Sequence, residues 1–149
     1  MKKRLLLLAL TLCMALCLLP VAAKAVQIVD SGSCGDDLNY TLTAGGTLTI
    51  SGTGAIGTWS FQNNPDLTEV IILDGVTEIG NSAFRDCTGL TSITIPNTVT
   101  EIGEYAFSGC TGLTSITIPD GVTEISSFSF ESCTGLTSIT IPDRVTEIG

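Results

Sequence analysis

The sequence predicts a solenoid, a stack of similar coils whose short β-strands align into parallel sheets. Residues 79–147 contain three consecutive copies of one 23-residue sequence, beginning at Ile79, Ile102 and Ile125, and a looser half copy precedes them from Leu67. Self-similarity at a fixed period of roughly 20–50 residues is typical of repeat architectures, in which each unit buries its apolar side only against its neighbours. One repeat alone is therefore not expected to fold.

Residues 1–25 predict a secretory signal peptide. Three basic residues precede an apolar run from Leu5 to Leu19, and Ala23-Lys24-Ala25 has the small-x-small pattern of a cleavage site. The apolar run is shorter than the roughly 20 residues that a transmembrane helix needs. We expect export, cleavage after Ala25 and no membrane span in the remaining chain.

The composition of residues 26–149 argues against catalysis and against anionic partners. Four of the six basic residues lie in the signal peptide, which leaves two basic and 15 acidic residues and a net charge of −13. Arg85 and Arg144 alone cannot build a surface that neutralises phosphates. The chain also lacks histidine, the side chain that ordinarily titrates near neutral pH. We expect no catalytic residue, no metal site, no cofactor and no nucleic acid partner.

Residues 26–66 are predicted to form a β cap in front of the repeats. Apolar and polar residues alternate over residues 38–42 and again over residues 48–50, on either side of a glycine turn. This pattern predicts a β-hairpin. Trp59 and Phe61 follow without a clear period and are interpreted as cover for the open end of the solenoid, with an aromatic platform for a ligand as the alternative.

Each repeat is predicted to contribute one strand to each of two opposite walls. In the first copy Leu90, Ile93 and Ile95 point inward and a proline ends the strand, while Val99 and Ile102 point inward from the opposite wall. An Ala-Phe pair and a cysteine complete the coil in a short irregular or helical segment, with the phenylalanines stacked. The outward positions of the strands all carry hydroxyl groups: Ser92, Thr94, Ser115, Thr117, Ser138 and Thr140.

The repeat resembles a known family. The pattern C-T-G-L-T-S-I-T-I-P-x-x-V-T-E-I-G-x-x-A-F is similar to the BspA-like, or Treponema pallidum type, leucine-rich repeat, and this resemblance covers residues 67–149. The stretch C-G-D-D-L-N-Y-T-L followed by G-T-L-T-I-S-G-T-G is similar to the domain that commonly precedes such repeats. The resemblance implies a leucine-rich-repeat solenoid with a parallel strand stack, short irregular or helical convex segments and an N-terminal β-hairpin cap. It also implies a secreted or cell-surface protein that serves adhesion or protein–protein interaction.

The outward hydroxyl ladder is the candidate binding face, for a protein or glycan ligand on host or neighbouring cells. The alternative is that serine and threonine are simply soluble residues that suit an exposed strand. A second row contains one glutamate per repeat, and it is interpreted as a solvated acidic stripe rather than a calcium site, because no calcium-binding loop is present. This row consists of Glu78, Glu101, Glu124 and Glu147.

The cysteines of residues 26–149 are interpreted as buried free thiols. Cys87, Cys110 and Cys133 share one repeat position, where cysteine behaves as a small apolar residue, and Cys34 lies in the cap. Stacked neighbours are nevertheless close enough for a disulfide, so bridging stays open as an alternative.

The expected function is binding, without enzymatic activity. An alternative is an N-terminal structural or targeting module of a longer surface protein whose activity lies beyond Gly149. The last repeat is truncated, and no polar segment covers the apolar end formed by Leu136, Ile139 and Ile141. Self-association through this uncapped C-terminal repeat is therefore a further expectation.

Overall fold

The computed structural model describes residues 26–149, and the signal peptide predicted over residues 1–25 lies outside the described residues. The described chain contains 11 β-strands joined by turns, with no helix among these residues. The strands are β1 Ile28–Ser33, β2 Asp37–Thr43, β3 Thr47–Ile56, β4 Glu69–Ile72, β5 Val76–Ile79, β6 Ser92–Thr94, β7 Glu101–Ile102, β8 Ser115–Thr117, β9 Glu124–Ile125, β10 Ser138–Thr140 and β11 Glu147–Ile148.

Each coil of the solenoid has three sides. Strands β4, β6, β8 and β10 form the first side, the hydroxyl wall, and strands β5, β7, β9 and β11 form the second, the glutamate wall. The third side, the turn wall, consists of residues 57–66, 80–89, 103–112 and 126–135. Equivalent residues 23 positions apart pair in parallel, as Ser115 does with Ser138 and Glu101 with Glu124. The predicted parallel strand stack with irregular connecting segments is confirmed.

The cap contains the predicted hairpin and one further strand. Strands β2 and β3 pair antiparallel, which confirms the hairpin, and β1 pairs antiparallel with the other edge of β2. The sequence pattern did not predict β1, because all six of its residues are exposed and it has no apolar face. The cap is therefore a three-stranded antiparallel sheet that continues directly into the parallel stack.

Strand β3 is the first coil of the solenoid, since it pairs with both walls. Residues 47–50 pair in parallel with β4, and residues 54–56 pair in parallel with β5. From Thr47 to Gly54 each paired residue of the next coil is 22 positions later in the sequence. A bulge between Gly54 and Ala55 restores this separation to 23 positions. One strand thus converts an antiparallel cap into two parallel walls.

The repeat geometry extends further toward the N-terminus than the predicted boundary at residue 67. Phe61 occupies the position of Phe84 one repeat later, and its ring is buried and stacked on that of Phe84 at 5.5 Å. The sequence pattern did not reveal the coil that contains Phe61, because Asn64 and Leu73 occupy the positions where later copies have cysteine and proline. Phe61 is therefore part of the core, whereas Trp59, the other residue interpreted as cover for the open end, is exposed.

The core is a set of rows, each made of the same residue in successive coils. The predicted inward side chains of the first two copies are buried, except that Ile93 is half-buried. In the third copy Ile139 and Ile141 are 38% and 42% exposed, because no later coil packs on them in the structure. Burial thus depends on having a neighbouring coil on both sides.

The phenylalanine row confirms the predicted stack. Phe61, Phe84, Phe107 and Phe130 lie with successive ring centroids 5.5 Å apart and planes within 10° of parallel. Tyr40 of the cap ends the row, with its ring edge-on to Phe61 at 5.1 Å and 89°. Aromatic pairs in these geometries stabilise a fold beyond the area they bury.

Threonine clamps join successive coils on both strand walls. The backbone N–H and the hydroxyl of Thr91 both donate to the carbonyl oxygen of Thr68, each at 2.9 Å. On the glutamate wall Thr123 does the same to Thr100, at 3.0 and 3.4 Å. The clamps bond each coil to the one before it at the ends of very short strands, and they help to fix the stacking register.

We predict that Phe84→Ala lowers the free energy of unfolding by about 3–5 kcal/mol, because it removes a ring with aromatic neighbours on both faces and leaves a cavity. The matched control is Leu73→Ala, since Leu73 is 44% exposed and its loss is expected to cost about 0.5 kcal/mol or less. Urea unfolding followed by circular dichroism measures both. Equal losses in the two variants would contradict the role assigned to the phenylalanine row.

Candidate functional site

The predicted hydroxyl ladder lies on the surface as a row of exposed side chains. Ser92 and Thr94 of β6, and their equivalents in β8 and β10, are all exposed. Ser115 and Thr117 stand in register with Ser138 and Thr140. The ladder is not continuous, however, because β6 and β8 are not paired within the described chain.

The hydroxyl wall is interrupted between the first and second copies. The backbone N–H of Thr91 bonds the carbonyl of Thr68, and that of Thr137 bonds Thr114 at 3.0 Å, but within residues 26–149 the equivalent bond from Thr114 to Thr91 is missing. The glutamate wall has all of its equivalent bonds, including Thr123 to Thr100. One edge of β6 and one edge of β8 thus face each other without a β-ladder between them.

An open groove of about 460 Å³ lies at this interruption. We call it the strand groove. Its lining combines apolar and polar side chains from both strands and from the turns that follow them: Ile93, Thr94, Ile95, Thr117, Ile118 and Asp120. Only Thr94 and Thr117 of the six predicted site residues line it; Ser92, Ser115, Ser138 and Thr140 are exposed outside its lining.

The strands themselves give no signal for the groove, because those on its two sides have the same sequence, T-S-I-T-I-P. The copies differ in the turn after the proline, which is Asn97-Thr98 in the first copy and Asp120-Gly121 in the second. A Cβ atom added at Gly121 would lie 2.0 Å from the carbonyl oxygen of Asn97, so these two turns pack directly on each other and only glycine fits there. This local difference in the turns was the one available signal.

The glutamate row lies where it was predicted, with Glu78, Glu101, Glu124 and Glu147 paired in register along the glutamate wall. The first three are half-buried and the last is exposed. Within residues 26–149 no group of three or more histidine, cysteine, aspartate or glutamate side chains has an arrangement suited to a metal ion. Among the same residues, no helix is long and apolar enough to cross a membrane.

The repeat cysteines form a regular row of hydrogen-bonded thiols. The Sγ atoms of Cys87, Cys110 and Cys133 donate to the carbonyl oxygens of Phe61, Phe84 and Phe107 respectively, each at 3.1 Å. All three, and Cys34, are free thiols in the structure. Burial raises the pKa of the Cys34 and Cys87 thiols to about 11, and it raises the pKa of the Cys110 and Cys133 thiols as well. Because the thiolate is the reactive form, these cysteines are poor nucleophiles.

A family model described as the BspA type leucine rich repeat region matches residues 54–149, in six copies. The chain belongs to the BspA-type leucine-rich-repeat family. The match begins near the bulge in β3, which agrees with the coil that the structure shows ahead of residue 67. No curated protein matches the chain.

Several solved structures of bacterial leucine-rich-repeat proteins are similar to this BspA-type chain. A leucine rich cell surface protein from Faecalibacterium prausnitzii is 32% identical, with a TM-score of 0.65 over 77% of this chain and 34% of its own. A leucine-rich repeat protein from Eubacterium ventriosum is 27% identical, with a TM-score of 0.63 over 80% of this chain and 40% of its own. The leucine rich repeat protein of T. pallidum is 30% identical, with a TM-score of 0.50 over 71% of this chain and 48% of its own. The chain thus spans less than half the length of these proteins.

We predict that the stability of this BspA-type protein falls as the pH rises from 9 toward 11. An unfolded thiol ionises near its ordinary pKa of 9.0, whereas Cys87 in the folded state keeps its proton up to about 11. The folded state then binds more protons than the unfolded state, so the free energy of unfolding decreases with pH across this window and is unaffected by this group below it. Urea unfolding at several pH values measures the slope.

The control is Cys87→Ser, which keeps a hydrogen-bond donor near the Phe61 carbonyl but does not titrate in this window. Its loss of stability between pH 9 and pH 11 is expected to be smaller than that of the parent protein. The same slope in both proteins would contradict the linkage of folding to this thiol.

Proposed function

We propose that the protein is exported and acts as a secreted or cell-surface binding protein, with a protein ligand held in the strand groove of the hydroxyl wall. The observation that carries this proposal is the interruption between β6 and β8. It combines two unpaired strand edges, the exposed hydroxyls of Thr94 and Thr117, and apolar contact surface from Ile93. An extended peptide that lies along the groove can hydrogen-bond its backbone to these hydroxyls while its side chains contact the isoleucine.

The proposed location rests on the N-terminal sequence and on one relative. Residues 1–25 have the basic, apolar and small-residue regions of a signal peptide. The similar protein from F. prausnitzii is a leucine rich cell surface protein. Adhesion to host or neighbouring cells is the role that best suits a binding surface presented outside the cell.

Binding rather than catalysis is supported by the chemistry of the available side chains. The chain has no histidine, and residues 26–149 also have no lysine. The four thiols of these residues are held protonated by burial. The base that would activate any serine, threonine or other nucleophile would therefore have to be a carboxylate or a phenol.

A second candidate function is that of an N-terminal structural or targeting module in a longer surface protein. The observation that favours it is length, because the chain spans only 34% of the F. prausnitzii protein and 40% of the E. ventriosum protein. The exposed Ile139, Ile141 and Ile148 suit either proposal, as contacts for further coils or for a second copy of the chain.

We predict that Thr94→Arg and Thr117→Arg each weaken ligand binding by about tenfold or more, because a bulky charged side chain then fills the centre of the groove. The matched controls are Ser92→Arg and Ser115→Arg, which add the same side chain to the same strands outside the groove. Fluorescently labelled protein is added to a panel of intact bacterial and mammalian cells, and bound fluorescence is measured by flow cytometry. Equal binding by all four variants and the parent would contradict ligand binding in the groove.

We also predict that the exported protein begins at Val26, as expected for cleavage after Ala25. N-terminal sequencing and intact mass of the protein recovered from culture medium and from the cell surface measure this. A mass corresponding to residues 26–149 supports the short binding protein, whereas a much larger mass with the same N-terminus supports the module of a longer protein. Recovery only from the cell interior with residues 1–25 intact would contradict export.

A further inference from the structure

The turn wall carries aromatic side chains at one repeat position in three of its four segments, and two of the three are exposed. The four residues at this position are Trp59, Ser82, Tyr105 and Phe128. Trp59 is 64% exposed and Phe128 is 52% exposed, whereas Ser82 is buried. The rings of Tyr105 and Phe128 are stacked at 5.1 Å with planes 12° apart. We call these three aromatic residues the aromatic ridge.

Neither exposure to solvent nor the backbone conformation explains why these positions carry aromatic residues. All three residues have a left-handed backbone, with φ values of 58° at Trp59, 55° at Tyr105 and 59° at Phe128. This conformation favours glycine or asparagine and is unfavourable for bulky side chains. The exposed rings of Trp59 and Phe128 also contribute little to folding by burial. Bulky aromatic residues at a position with these properties point to a role in contacts with another molecule.

A contact within the protein indicates which chemical group can pack on the ridge. The Cζ atom of Arg85 lies over the ring of Tyr105, 5.3 Å from its centroid. A guanidinium at this distance from a ring centroid makes a cation–π contact. Asp86 forms an ion pair with the same guanidinium, with its Oδ2 atom 3.4 Å from Arg85 Nε. The row thus already binds one guanidinium through an aromatic ring and a carboxylate.

The charge of the surrounding surface suits further cations. Besides Arg85, the charged side chains on the four segments of the turn wall are Asp66, Asp86, Glu104 and Glu131, all acidic. The whole of residues 26–149 carries a net charge of −13. Such a surface attracts basic groups and repels acidic ones over a range set by the ionic strength. Trp59 and Phe128 remain as exposed rings with no cation over them in the described part of the chain.

We propose that the turn wall is a second binding surface, which takes a basic segment of a partner protein by stacking its arginine or lysine side chains on Trp59 and Phe128. The carboxylates of Glu104 and Glu131 pair with the charges of that segment, as Asp86 pairs with Arg85. This surface is independent of the strand groove, because it lies on a different wall and uses none of the residues that line the groove.

The test uses Trp59 as its own reporter, because it is the one tryptophan of the chain. A ten-residue peptide of alternating arginine and glycine is titrated into the purified protein at low salt, and tryptophan emission is recorded. The matching lysine and glutamate peptides are titrated in the same way. We expect saturable changes in emission with the arginine and lysine peptides, weakening as salt is added, and no change with the glutamate peptide.

Variants separate the ridge from the rest of the surface. Fluorescence anisotropy of a labelled arginine peptide is expected to show affinity losses of about two- to fivefold for Trp59→Asn and for Phe128→Asn, the range expected for one exposed cation–π contact. The matched control is Leu73→Asn, which removes an exposed apolar side chain away from the turn wall and should leave the affinity unchanged. Because asparagine tolerates the left-handed backbone, Trp59→Asn should not lower the melting temperature.

Three results would overturn the proposal. The first is a lack of binding by both basic peptides at low salt. The second is the same affinity in the parent, Trp59→Asn and Phe128→Asn proteins, which would mean that the acidic surface binds cations without the rings. The third is a change of tryptophan emission with neutral oligosaccharides such as cellohexaose but not with the basic peptides, which would assign the ridge to a glycan.

Discussion

Each side chain in the core rows of the repeats must accept its own copy as a neighbour, because coils 23 residues apart stack in register at the spacing of β-strands, about 4.8 Å. Only some residue types suit that constraint. Phenylalanine rings stack in parallel, thiols donate to the carbonyl of the coil before, and threonines donate twice to one carbonyl. These three rows give the stack its fixed register, and the isoleucine, leucine and valine rows are buried only because the register holds. The constraint is also why a single repeat has no stable structure of its own.

The first coil of such a stack has no equivalent coil on one side, so its strand edges and core side chains need other partners. Strand β3 provides the strand pairing for both walls, since it is antiparallel to β2 on one side and parallel to β4 and β5 on the other. Tyr40 covers the free end of the phenylalanine row by packing edge-on against Phe61. An edge-on ring ends a stack of parallel rings, because it does not present a face for a further parallel partner. The cap is therefore built into the first coil rather than laid on top of it.

The candidate functional surfaces lie where the copies stop being identical or stop pairing. The strand groove lies beside turns that differ between the first two copies, at Asn97 and Gly121. The aromatic ridge lies at a repeat position that varies from serine to tryptophan, while the phenylalanine two residues later is constant. Positions in the core rows are restricted by the neighbour they must match. Outward positions on the turn wall and in the turn after the proline are free of that restriction, and most of the variation among copies lies there.

The sequence by itself determined the period, the parallel stack, the identity of the core rows and the hairpin of the cap, because these follow from local patterns that repeat or alternate. It also marked the outward hydroxyls of Thr94 and Thr117 as exposed. The tertiary structure alone decided that these two line a groove while Ser92 and Ser138 do not, since identical strands can pair or separate depending on how their turns pack. It also decided that Phe61 belongs to the core and that Trp59 is exposed. Those outcomes depend on contacts one full coil away, which no local pattern encodes.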